Sequence, residues 1–188
     1  TVGIAFSIVV LAAVSGFAAQ YVVSTNVSAF ERALNGIRLC EPRKDSVTCS
    51  RVFVKYLLDM KSGSEVLDTL EPSISPQHCH YVGHIVGQEL LYQSSSLESA
   101  LSQCSRACDS ACIHGAVGTA FLRALDMSST SSATDVDLRH LSDLDIQRIG
   151  QQLCTTADMC HGLGHALFQT TEDMRMAMDT CDKVADEP

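Results

Sequence analysis

Residues 79–84 read Cys-His-Tyr-Val-Gly-His and residues 160–165 read Cys-His-Gly-Leu-Gly-His. A partial copy, Cys112-Ile-His114-Gly115-Ala-Val-Gly118, stands between them. Two such strings in a chain with seven histidines mark an internal repeat. Each copy opens an apolar stretch of helical period. A short repeat of that kind cannot bury its apolar face alone, so the copies must stack on one another.

The coarse pattern is helical throughout, since no period-2 apolar run is present. Helices are predicted over Gln77–Tyr92, Ala111–Met127 and Met159–Thr170. Each is followed by a partner: one capped by Ser94-Ser-Ser96 and running to Cys104, one over Leu138–Cys154, and one over Glu172–Val184. Upstream, Val52, Phe53, Tyr56, Leu57 and Met60 suggest one apolar face. A brief helical piece from Ser64 to Leu70 is stopped by Pro72 and Pro76. Ser128–Thr134 reads as a surface loop. The expected fold is all-α, an N-terminal transmembrane helix followed by disulfide-stapled αα-hairpin repeats.

Each leading helix begins at a cysteine (Cys79, Cys112, Cys160) and each partner helix ends at one (Cys104, Cys154, Cys181). The open ends of an antiparallel hairpin can meet the Cα separation a disulfide needs, about 4.4–6.8 Å. The pattern therefore predicts Cys79–Cys104, Cys112–Cys154 and Cys160–Cys181. Cys40–Cys49 should close a polar turn, and Cys108 is left unpaired.

Val2–Val23 contains no charged side chain. As a helix at about 1.5 Å per residue it would be about 33 Å long, enough to cross a bilayer. The reading is a single-pass membrane anchor over residues 1–24, a stalk and disulfide loop over 25–50, and a helical Cys/His repeat domain over 51–188. The rival use of the apolar segment is as the core of a self-assembling filament. Nine cysteines point to an oxidising compartment and so to a soluble part on the periplasmic or extracellular side. The net charge is −9 and the basic residues are scattered, which argues against a nucleic-acid partner.

The series Cys79-His-x-x-Gly-His, Cys104-x-x-x-Cys108-x-x-x-Cys112-x-His-Gly, Cys160-His-Gly-x-Gly-His and Ala177-x-x-x-Cys181-Asp resembles a poorly characterised group of exported bacterial Cys/His-rich helical repeat proteins. The likeness covers Cys79 to Asp182 and brings no activity with it. That group's middle motif has an acidic residue shortly after His-Gly, where this chain has Gly118-Thr119. Its pattern also continues past the last cysteine, so Pro188 is expected to lie short of a natural end. The staples also resemble those of cysteine-rich Sel1-type αα repeats, without their Gly/Ala-rich consensus.

At i, i+4 spacing His80 and His84 share a helix face, as do His161 and His165. With His114 nearby, five imidazoles could gather around zinc, copper or haem iron. Glu89 falls on a different face, so no carboxylate is placed to serve as the base of a metalloprotease. The commoner use of such histidines is structural, as hydrogen-bonding groups at hairpin ends. His78 and His140 have no counterpart in the repeat and read as surface residues. Haem attachment through a single cysteine, Cys79 or Cys160, would leave Cys104 or Cys181 without a partner. Met174 and Met178 suggest soft copper ligands, although their spacing with Ala177 and Cys181 favours core packing.

No serine elbow, phosphate loop or dinucleotide fingerprint is present, so no catalytic residue is assigned and an enzyme is not expected. The leading functional expectation is an accessory or scaffold subunit of a larger membrane complex. It would touch lipid and other membrane-protein subunits through the anchor helix and the repeat surface. The alternatives are a metal- or haem-binding carrier using the paired histidines and a filament subunit.

Overall fold

The computed structural model describes residues 28–94, 96–124 and 143–185. The described residues form nine α-helices and no strand. In chain order these are α1 (Ala29–Cys40), α2 (Ser46–Leu58), α3 (Gly63–Leu70), α4 (Pro76–Gln93), α5 (Leu97–Leu101), α6 (Ala111–Ala124), α7 (Asp143–Leu153), α8 (Ala157–Thr171) and α9 (Met174–Ala185). The anchor segment Val2–Val23, the Ser128–Thr134 loop and His140 lie outside the described residues. None of the described helices is long and apolar enough to cross a membrane.

Local chemistry sets the helix starts. Ser28, Ser62, Ser75, Ser96 and Thr156 each accept a hydrogen bond at an N-terminus from the backbone N–H three residues on. At α3 the Glu65 side chain returns to the Ser62 backbone N–H, completing a reciprocal cap. Pro76 stands at the first position of α4, where its missing N–H costs nothing.

The three helices that carry the Cys-His motifs form the spine. α4 packs on α6 and α6 on α8. They run parallel, because Gly83 meets Ala111 and Gly87 meets Cys112 and Ala116, while Gly162 meets His114 and Gly118 meets Ala166. Central α6 is buried on both sides. Ala111, Cys112 and Ala116 enter a core shared with Val82, Ile85 and Val86 of α4. Val117 and Phe121 enter a second core with Leu163 and Leu167 of α8 and Val184 of α9. Each large side chain buried here contributes about 1.5–3 kcal/mol of transfer free energy.

α1 is not a stalk. Ala33, Leu34 and Ile37 lie in the same core as Val54 and Leu57 of α2 and Val82 of α4. On α2 the buried stripe is Ser50, Val54 and Leu57, whereas Val52, Tyr56 and Met60 are exposed. Of the apolar face read from the sequence, Leu57 is buried and Phe53 packs against the core, so the true face is rotated from the expected one by roughly a quarter turn. His78 is not a surface residue either. It is buried, and its Nε2 lies 3.3 Å from the Ile37 carbonyl and 3.5 Å from Ser50 Oγ, joining α1, α2 and α4.

Cys40–Cys49 forms as expected, with Cα atoms 5.7 Å apart. The other pairings differ from the expected staples. Cys79 bonds Cys108, Cys104 bonds Cys112, and Cys154 bonds Cys160, leaving Cys181 free. The reason is topological. In a stack of parallel leading helices their first turns are neighbours, so Cys79 meets Cys108 just ahead of α6. The tight turns into α6 and α8 bring Cys104 to Cys112 and Cys154 to Cys160, at Cα separations of 5.5 and 4.4 Å. Those turns leave no thiol of the spine to pair with Cys181.

Candidate metal centre

One end of the spine gathers imidazoles. His80 and His84 project from α4, His114 from α6, and His161 and His165 from α8. Ligand nitrogens of His80, His84, His114 and His165 all lie within 4.8 Å of one another. His161 stands at the edge of this set, stacked on His114 with ring centroids 4.7 Å apart and planes 7° apart. All five histidines proposed from the repeat are therefore brought together. Glu89 is directed elsewhere, paired with Arg51 at 2.7 Å and Lys55 at 3.6 Å.

Close approach of the helices makes this convergence possible. A Cβ on Gly115 would sit 2.8 Å from the Cα of His84, and one on Gly162 would sit 2.7 Å from the Cα of His114. The two glycines let α6 touch α4 and α8 touch α6 at the histidines themselves. The glycines that directly follow His114 and His161 are thus spacing devices for the rings.

Ring orientation is set from outside. The Cys108 carbonyl can only accept, so His80 Nδ1–H donates to it at 3.2 Å and its Nε2 keeps a lone pair. This Nδ1–H to carbonyl bond is the usual outer support of a metal-ligating histidine. The carbonyl belongs to an unusual turn, in which Cys108, Asp109 and Ser110 have φ of 56°, 59° and 57°. Three successive non-glycine residues in the left-handed region cost free energy. The turn is held by the Cys79–Cys108 bridge and by Glu71 Oε1, which accepts from Cys108 N–H at 2.7 Å. Sequence reading missed this turn, because only an expected free thiol at Cys108 marked it.

Two nitrogens on one ion are about 2.9 Å apart at a right angle and about 3.4 Å apart at the tetrahedral angle, given metal–nitrogen bonds near 2.0–2.1 Å. His80 Nε2 and His84 Nε2 are 3.1 Å apart, and His161 Nε2 and His165 Nε2 are 2.9 Å apart. An N–H···N hydrogen bond would also account for either pair. It does not account for His114, whose buried Nδ1 has no hydrogen-bond partner among the described residues. An unpartnered buried polar atom is costly unless something binds it.

The electrostatics favour the neutral form of His84, His114 and His165. Burial, then the neighbouring His80 and His165, lowers the pKa of His84 to about 3. Burial, then His161 and His165, lowers that of His114 to about 4. His165 is lowered by burial and then by His161 and His80. Neutral imidazoles are the form a metal takes.

The centre is open on one side. His80, His84, His161 and His165 line a cleft of about 680 Å³ whose far wall includes Arg51 and Tyr81. A second cavity, about 600 Å³, lies on the other side of His161 and His165 against α9. There the Cys181 thiol is held above its usual pKa by burial and then by Asp182. No protein-family model, curated protein or solved structure matches the chain.

Proposed function

We propose that this chain is an extracytoplasmic transition-metal-binding protein whose centre is the imidazole set of His80, His84, His114, His161 and His165. The observation that carries the reading is the convergence of four imidazole ligand nitrogens within 4.8 Å of one another, in a set where His114 has a buried Nδ1 without a hydrogen-bond partner among the described residues. An all-nitrogen set without a carboxylate suits copper or zinc rather than calcium or magnesium. Haem fits poorly, since four nitrogens gathered within 4.8 Å leave no slot for a macrocycle between two axial rings. Cys79 and Cys160, the thiols considered for its attachment, are both in disulfides. The bridges support a compartment outside the cytosol. Attachment to a membrane there is proposed on the uncharged run Val2–Val23.

Titration calorimetry of chelator-treated protein with Zn(II) and with Cu(II) tests the reading, with metal analysis of the product. One tightly held ion per chain is expected. Replacing His80 or His84 by Ala should weaken binding at least tenfold while the helical circular dichroism is kept. Absent stoichiometric binding, or variants that bind as well as wild type, would remove the centre.

A second reading, the accessory subunit, is supported by apolar side chains left uncovered on α1 and α2. Leu39 is 74% exposed and Val52 65%, with Tyr56 one turn beyond Val52. Exposed apolar patches of this kind mark interaction surfaces. Crosslinking from position 52 in mild detergent should capture a defined partner subunit, and its absence would count against a scaffold role.

A further inference from the structure

The cavity between α8 and α9 has a chemistry of its own. Met174, Met178 and Cys181 fall at i, i+4 and i+7 of α9, so they share one face, and all three line the cavity. Core packing, the reading favoured from the sequence, does not hold for the methionines. Among the described residues Met174 is 57% exposed and Met178 60%. Cys181 is the free cysteine, its sulfur 3.7 Å from where a Cβ on Gly164 would lie. The opposite wall is His161 and His165, so the cavity and the imidazole centre share two side chains.

We infer that this cavity is a Cu(I) site, with the Met174 and Met178 thioethers and the Cys181 sulfur as ligands, that feeds the adjoining imidazole centre through His161 and His165. The inference deepens the metal-binding reading by naming the metal, and it rests on that reading only for the destination of the ion. Thioether and thiolate are soft donors and select Cu(I) over zinc. Binding exchanges the Cys181 S–H bond for a copper–sulfur bond and releases one proton to solvent. Copper remains Cu(I) and no electron moves. Transfer then replaces sulfur ligands by His161 and His165 nitrogens.

The test is anaerobic titration of the whole chain with Cu(I) held by a chromogenic Cu(I) chelator. Ascorbate serves as reductant because it leaves the disulfides intact. Wild type is expected to withdraw Cu(I) from the chelator and to show copper–sulfur scattering in the X-ray absorption spectrum. The double variant M174L/M178L and the single variant C181S should each weaken Cu(I) binding at least tenfold. Their Zn(II) affinity should stay within about twofold of wild type. Unchanged Cu(I) affinity in both variants, or a spectrum showing nitrogen ligands alone at one equivalent, would overturn the site. Failure of the imidazole reading would register separately, as loss of Zn(II) binding in wild type.

Discussion

Replacing Gly162 by alanine puts a methyl group 2.7 Å from the Cα of His114, a backbone atom that cannot swing aside. Ordinary carbon contacts begin near 3.4 Å, so α8 and α6 must separate by about 0.7 Å. Forced overpacking of this kind costs about 1–3 kcal/mol. The alanine regains about 1 kcal/mol of helix propensity, so a net loss of up to about 2 kcal/mol is expected. Gly164, two residues along in the same motif, supplies the control. Its Cβ would meet only the Cys181 sulfur, at 3.7 Å, an ordinary contact. Gly164→Ala should therefore be neutral or stabilising by up to about 1 kcal/mol. Urea unfolding followed by circular dichroism, in chelator, reads both. The Gly162 variant should also lose metal affinity, because the separated helices carry His114 away from His161 and His165. Equal stabilities for the two variants, or a Gly162 variant that binds metal normally, would refute the idea that glycine spacing builds the site.

Three further outcomes follow from the structure. The His84, His114 and His165 pKa values are depressed in the fold, so their stabilising effect is complete above the unfolded value near 6.5. It is lost as pH falls through the folded values, about 3 and about 4 for the first two. Urea midpoints of the metal-free protein should decline steadily from pH 7 to pH 4, and a flat profile would contradict neutral buried rings. Glu89→Ala strands Arg51 and Lys55 and should cost about 1–3 kcal/mol, less than a fully buried pair because both bases are partly exposed, with Zn(II) affinity unchanged. Peptide mapping without reductant should find Cys79–Cys108, Cys104–Cys112 and Cys154–Cys160, and alkylation should label Cys181 alone. Recovery of Cys160–Cys181 would contradict the spine topology.

Much of this was legible in the residues because the signals were local. The i, i+4 histidine pairs fixed which rings share a face, and serine caps with prolines fixed helix limits, so the predicted Gln77–Tyr92 appears as Pro76–Gln93. What failed depended on how helices stack. Hairpin ends looked like the natural partners of the cysteines, but the parallel spine made first turns neighbours instead. Val52 and Tyr56 looked like core because they are apolar and a turn apart. The close fit of α2 between α1 and α4 kept Leu57 in the core as expected but paired it with Ser50 and Val54 in place of Val52 and Tyr56. The left-handed turn at Cys108–Ser110 carried little signal, since it holds no glycine and of its three residues only Asp109 is of a type enriched in that conformation. Met174 and Met178 had the right spacing for a buried stripe, and only the empty space beside Cys181 shows that they line a cavity.

The central claim is that α4, α6 and α8 present their imidazoles to a single ion. Nitrogen-15 NMR of the histidine side chains during Zn(II) titration tests this most directly. The ring signals of His80, His84, His114 and His165 should shift together and saturate at one equivalent, while His78, buried against Ile37, stays fixed. Ring signals that titrate independently, or that leave His114 unmoved at saturation, would contradict a shared centre.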